Sequence, residues 1–298
     1  VNLIIGNTAG TFSTILNYLS WMVIKDISEN EISLDFHWTN KTDFSGNTFY
    51  GYKNVKKQNF YEPLIHRPNI MSHLFEYAPN SFMEDYEEYV ESYPHNSQYL
   101  IKNCPELLIK YNGGGSIVNQ YYDLEYLSNI RNIFNSYWKK FKLSNHLMKK
   151  LEQESKILKN KKVLTVMIRC SEHYSEPKIL LENFINQVNC KIDNYDCILL
   201  LTQVQEIFDI FVETFGDFCI FPKRERIPGN IDWKGGRGII MSNEEYIKEV
   251  EECLIDVFLA SKTSHILSGA SNMFLGALTI NPEITFDVFE FLKSNNGR

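Results

Sequence analysis

Cysteine is sparse and unpatterned in this chain, which narrows its chemistry at once. The six cysteines (Cys104, Cys170, Cys190, Cys197, Cys219 and Cys253) form no Cys-x-x-Cys pair and no zinc-finger spacing. Several lie inside apolar runs, where a thiol packs as a small hydrophobe, so a disulfide framework is not expected. Long apolar runs are missing too: none approaches the roughly 18 to 20 residues that cross a bilayer. No secretory signal is visible, although the chain starts at Val1 rather than Met. The expected location is cytoplasmic, or lumenal where an N-terminal anchor has been removed. Positive charge is in deficit as well. The 30 Lys and Arg stand against 37 Asp and Glu, a net charge of −7. That balance argues against nucleic acid as a partner, which would ask for a basic face.

The familiar catalytic and phosphate-binding templates are also absent. The turn at 6–10 holds only Gly6 and Gly10, so it lacks the G-x-G-x-x-G of dinucleotide sites. Gly113-Gly114-Gly115 is followed by no Gly-Lys-Ser/Thr, and neither G-x-S-x-G nor H-E-x-x-H occurs. The seven histidines (37, 66, 73, 95, 146, 173 and 265) show no metal-ligand spacing. Each reads as a surface or satisfied core residue, and no metal is expected. The acidic run Glu84-Asp85-Tyr86-Glu87-Glu88 reads as a solvated helix face.

What is present is a chain of 298 residues, 44% apolar and 14% aromatic, enough for two ordinary domains with substantial cores. The C-terminal half is the clearer. Residues 163–168, 197–202 and 218–221 are strand-length apolar runs, separated by helical spacing at 179–188 and 206–215. Strands that are apolar throughout, alternating with helices, indicate a parallel sheet covered on both faces. The N-terminal half starts the same way, with a strand at 1–5, a turn at 6–10, a helix at 12–24 and a strand at 31–37. Residues 38–61 read as a polar, aromatic, loop-like stretch. Helical material is expected at 81–93 and 124–142, and a charged helical connection at 149–162. The expected organisation is two Rossmann-like α/β domains, 1–155 and 156–298, facing across a cleft.

The segment 249–282 carries the most information. Val250, Leu254, Val257 and Leu259 mark a buried helical stripe with Asp256 among them, followed by an apolar strand at 265–267. Ser268-Gly269-Ala270-Ser271-Asn272 then leads into a second apolar helix. Small and hydroxyl residues between a strand end and a helix N-terminus make either an ordinary N-cap or an anion site. Arg169 ends the first strand of this half, where ligands bind in open parallel sheets, and its planar fork suits phosphate.

These residues resemble the donor-binding region of GT-B fucosyltransferases, the superfamily of α1,6-, α1,2- and protein O-fucosyltransferases. The resemblance rests on Glu252, Leu254-Ile255-Asp256, Phe258-Leu259, Ile266-Leu267, Ser271-Asn272 and Asn281-Pro282. Gly236-Arg237-Gly238 is similar to the family's loop before that helix, and Gly10-Thr11-Phe12-Ser13 to its donor-facing turn. The strand motif His-x-Arg-x-x-Asp reads here Met167-Ile168-Arg169-Cys170-Ser171-Glu172, so Met167 and Glu172 depart from it. Thr202-Gln203 departs likewise, where the family often has an acidic residue after threonine.

The resemblance implies a GT-B-like fold and an inverting, metal-independent transfer from GDP-fucose to a glycan or other hydroxyl acceptor. The missing Asp-x-Asp after a strand agrees with metal independence. It assigns Arg169 to the β-phosphate, Ser271 and Asn272 to the pyrophosphate, Asp256 to the guanine or its supports, and Gly10, Phe12 and Ser13 to the donor-facing turn. The acceptor base is open among Glu172, His173 and an N-domain carboxylate, and some family members use none. Met167 cannot bond as imidazole does, which keeps another nucleotide-sugar donor in view, beside a catalytically silent nucleotide-binding protein.

Overall fold

The computed structural model describes residues 1–6, 11–29, 31–38, 70–76, 87–90, 94, 97–110, 124–168, 177–226, 243–269 and 271–289. The chain forms two compact units, Val1–Met148 with Gly236–Leu254, and Lys149–Gly235 with Ile255–Arg298. The return of 236–254 to the first unit was not foreseen.

In the first unit β1 (Asn2–Gly6) lies between β2 (Ser33–His37) and β3 (Glu88–Val90), parallel to both. Helix α1 (Thr11–Ile27) connects β1 to β2. It carries no charge before Lys25 because it is buried nearly all round. Its Ser20 hydroxyl is satisfied locally, donating to the Leu16 carbonyl at 2.9 Å. Short helices α2 (Ile70–Leu74), α3 (Gln98–Asn103) and α4 (Pro105–Lys110) follow, then α5 (Leu124–Trp138) and α6 (Asn145–Glu154).

The helix expected at 81–93 is corrected by β3, since 88–90 is a strand. Aromatic Tyr89 and β-branched Val90 suit a strand, and β1 supplies its backbone partners. The acidic residues beside it serve backbone donors. The Glu87 carboxylate accepts from the Asn2 amide at 2.7 Å, and the Glu87 amide donates to the Asn2 carbonyl at 2.9 Å. Glu88 accepts from the Ser97 hydroxyl (2.6 Å) and from the amides of Gln98 (2.9 Å) and Tyr99 (3.0 Å), capping α3. Charge at these two positions therefore closes backbone ends.

The second unit holds β4 (Val163–Ile168), α7 (Pro177–Lys191), β5 (Cys197–Thr202), α8 (Gln205–Phe215) and β6 (Cys219–Ile220). Gly216, at φ 53° and ψ −128°, ends α8 in a conformation that side chains resist. Helix α9 (Asn243–Ala260) leads to β7 (His265–Gly269), α10 (Asn272–Ile280) and β8 (Thr285–Phe289). The strands pair in the order β6-β5-β4-β7-β8, all parallel. Every residue of β4 and β5 is buried, which is why both read as unbroken apolar runs. Leu164, Val166 and Ile168 pack with Ile198 and Leu200 against Phe184 and Val188 of α7 and Phe211 of α8. All five described cysteines are free thiols.

Candidate functional site

The strand order of the second unit fixes where a ligand belongs. The chain winds outward through β4, β5 and β6, then returns to the other side of β4 with β7 and β8. Such a reversal opens a crevice beyond the carboxyl ends of the two central strands. Those strands are β4 and β7, paired with Met167 opposite Ser268. Arg169 follows Ile168 in the chain but lies, with Glu172 and Gly10, outside the described residues. The same holds for His173 and for the aromatic loop from 39 to 61.

Beyond β7, Ser271 is the N-cap of α10, with extended backbone (φ −155°, ψ 159°) and its hydroxyl oxygen accepting from the Phe274 amide at 3.2 Å. A helix leaves its first amides without intrahelical acceptors. In α10 the Ser271 side chain takes that of Phe274, and its carbonyl takes that of Leu275 at 3.0 Å. The amides of Asn272 and Met273, in the first turn of α10, are those an anion at this helix end would meet. The N-cap and the anion reading are thus compatible: the cap rigidifies the turn that would present the donors. Ser268 supports the strand end, its hydroxyl 3.1 Å from the Met167 carbonyl oxygen.

Asp256 sits in a cluster with Arg224 and Glu154 that was absent from the sequence reading. Arg224, just beyond β6, spans two carboxylates. Its Nη2 donates to Glu154 Oε2 at 2.6 Å and to Asp256 Oδ1 at 2.7 Å. Its Nη1 reaches Glu154 Oε1 and its Nε reaches Asp256 Oδ1, each at 3.1 Å. The guanidinium side chain is only 7% exposed. Burial alone would weaken its charge, but the charge of Asp256 and the hydrogen bonds it donates to both carboxylates push its pKa above the usual arginine value. Asp256 is therefore held in one orientation. Nearby, the Arg226 guanidinium lies 3.6 Å from the Phe208 ring centroid, a cation–π stack. The available signal was Lys223-Arg224-Glu225-Arg226, basic residues directly after a strand's carboxyl end.

In the first unit Phe12 and Ser13 lie in the opening turn of α1. Phe12 is buried and packs near Trp138, ring centroids 6.3 Å apart. Its side chain is thus part of this unit's core, and Ser13 is the half-buried neighbour.

No family model matches the chain, and no curated protein matches it by sequence. Solved structures do match. One is the NodZ α-1,6-fucosyltransferase soaked with GDP-fucose, 14% identical with TM-score 0.51, the match covering 100% of this chain and 97% of that one. Fucosyltransferase NodZ from Bradyrhizobium is 13% identical with TM-score 0.52, covering 99% and 96%. A variant of Arabidopsis thaliana FUT1 in complex with GDP is 9% identical with TM-score 0.51, covering 96% of this chain and 69% of that one. The expected α/β architecture with parallel sheets is borne out, and the chain shares its fold with fucosyltransferases.

Proposed function

We propose that this chain is an inverting, metal-independent glycosyltransferase that moves fucose from GDP-fucose to a hydroxyl of a glycan or other acceptor. The observation that carries the reading is the β4/β7 reversal, whose strand ends lead in sequence to Arg169 on one side and Ser271-Asn272 on the other. An acceptor oxygen attacks the sugar's anomeric carbon as the bond to the β-phosphate oxygen breaks, and the nucleoside diphosphate leaves. Arg169 neutralises the charge developing on that leaving group, and Ser271, Asn272 and the α10 N-terminus hold the pyrophosphate. Asp256, fixed by Arg224, reads the base or orients the residues that do. Glu172, His173 or an N-domain carboxylate takes the acceptor proton, with Glu172 the assigned candidate. By resemblance Gly10, Phe12 and Ser13 are assigned to donor binding, with Phe12 acting from the core as support for Ser13.

One observation favours a second donor. Met167 is buried and brings no hydrogen-bonding nitrogen to the strand end, so the nucleotide base is recognised without imidazole there. A thermal-shift panel of GDP, UDP, dTDP and CMP, with and without EDTA, separates the readings. A ligand at about 100 times its Kd adds roughly 2.7 kcal/mol of stability. Stabilisation by GDP is expected; a response to UDP or dTDP alone would replace the donor, and binding without turnover of any donor would leave a silent binding protein. Arg169→Ala should lower kcat about 10² to 10³-fold, and an unchanged kcat would remove Arg169 from the mechanism.

A further inference from the structure

Three side chains of the first unit that no step of the transfer uses converge on one point. His73 Nε2 lies 2.6 Å and His146 Nε2 2.8 Å from the same oxygen, Glu251 Oε1. The two imidazole rings are 4.6 Å apart between centroids. The ligand atoms of all three residues lie within 4.8 Å of one another. We infer that His73, His146 and Glu251 bind a divalent cation of the zinc class.

The donor set fits that ion. Two imidazole nitrogens and one carboxylate oxygen are a three-ligand set known for zinc, with the fourth position left to water or another ligand. Bonds of about 2.0 to 2.1 Å at tetrahedral angles need ligand atoms roughly 3.3 Å apart, so the histidine–glutamate contacts open by about 0.5 to 0.7 Å to admit the ion. The imidazole side chains are 40% and 47% exposed, giving the ion an entry path and its fourth ligand room, while the Glu251 side chain is 15% exposed. The far side of one ring is also held: the Ser144 hydroxyl is 3.0 Å from His146 Nδ1. That bond orients the ring and leaves Nε2 to face the ion.

The backbone holds the three residues in place beforehand. Phe75 and Leu143 form an antiparallel bridge. The Ser144 amide donates to the Leu74 carbonyl at 2.8 Å, and the Glu76 amide to the Lys142 carbonyl at 2.9 Å. These bonds fasten the end of α2, with His73, to the start of α6, with His146. Glu251 arrives on α9, whose Tyr246 accepts from the buried Trp38 indole N–H at 3.0 Å. Trp38 in turn accepts at its carbonyl from the Ile70 amide, the first residue of α2, at 2.7 Å. Both histidines and the glutamate are thus tied to one framework, so little ordering is left for the ion to impose. Bound there, the cation clips α2, α6 and α9 together. It plays no part in the transfer proposed above and stands whether or not that reading holds.

The test is calorimetric titration of the chelator-treated full chain with ZnCl2, repeated with Co2+ and followed by the visible bands of the four-coordinate ion. One Zn2+ per chain is expected, with Kd micromolar or tighter. His73→Ala and His146→Ala should each weaken binding by more than about 100-fold, and Ser144→Ala by about tenfold. His73→Asn and His146→Gln serve as second variants, and unchanged circular dichroism confirms that the folds compare. Absence of saturable binding by the wild type, or equal binding by the histidine variants, would overturn the assignment. The readout needs no sugar donor, so its failure is separate from failure of the transferase reading.

Discussion

Helix α9 carries Glu251 and Asp256, and the two carboxylates end in opposite surroundings. Asp256 belongs to the second unit, where a guanidinium that is 7% exposed takes both of its neighbours' charges through four hydrogen bonds. Glu251 belongs to the first, and its partners are two imidazoles near half exposure. Arginine is permanently charged and its fork matches carboxylates rigidly. Histidine offers a lone pair as well as a proton and can exchange one partner for another. One helix thus supports a fixed cluster in the second unit and an adjustable cluster in the first.

The largest expected effect breaks the fixed cluster. Arg224→Ala leaves Glu154 and Asp256 with mutually repelling charges and little water to screen them. Stability should fall by about 3 to 5 kcal/mol, in the range seen when one partner of a buried ion pair is removed. Urea unfolding of the full chain, read by fluorescence and circular dichroism, measures it. Arg224→Lys should recover only part, since an ammonium cannot span both carboxylates. GDP affinity should fall in both if Asp256 reads or supports the base. A loss below about 1 kcal/mol would mean that the cluster behaves as a surface pair and that the contrast with Glu251 is false.

That contrast was not legible in the sequence, for a physical reason. Arg224 is 70 residues from Glu154 and 32 from Asp256, and His73 is 178 from Glu251. Polar clusters of this kind are assembled by tertiary packing, and no local spacing announces them. The buried strands are the opposite case. β4 and β5 are covered on both faces, so every position must be apolar and the run declares itself. The cap at Ser271 was equally readable, because the hydroxyl and the amide it accepts are three residues apart. β8 passed unnoticed because Thr285–Phe289 is short, lies at an edge and carries Asp287. β3 was mistaken for helix because Glu87 and Glu88 lower its apolar signal while serving backbone amides.

A smaller effect sharpens the comparison by testing the first unit's framework. Tyr246 is buried and its hydroxyl is pushed up to about 12, chiefly by burial, so it stays protonated while accepting from Trp38. Tyr246→Phe leaves a buried indole N–H without that acceptor, at a cost of about 1 to 3 kcal/mol. If α9 is the strut that carries Glu251, this variant should also weaken Zn2+ binding, whereas GDP affinity should hold. Smaller still is Glu251→Gln in chelator-treated protein. Its exposed histidine partners make exchange with water cheap, so stability should change by less than about 1 kcal/mol. A loss as large as that of Arg224→Ala would erase the distinction between the two clusters.

The smallest effect concerns a histidine in the second unit, and it shows as a slope. His265 on β7 is buried, its Nδ1 2.8 Å from the Thr285 hydroxyl and its Nε2 3.2 Å from Asp287 Oδ2. Burial lowers its pKa below 6.5, outweighing the opposing pull of Asp287, and the charge of Lys191 adds to the lowering. Lys191 bonds the same carboxylate at 2.6 Å. Folding therefore favours the neutral ring, and the unfolded chain binds the proton first as pH drops. The stability this supplies is present above about pH 6.5 and is lost as pH falls through the lower folded value. Asp287 is itself held below 3.8: burial opposes its charge, but the Lys191 hydrogen bond and charge prevail. Its own contribution persists above that value and fades only in stronger acid, so the two windows are separate. Melting temperatures of the wild type should fall between about pH 7.5 and 5.5, and His265→Gln should flatten that fall. An unchanged slope in His265→Gln would mean that this ring takes its proton as readily folded as unfolded, and that burial on β7 does not set its charge.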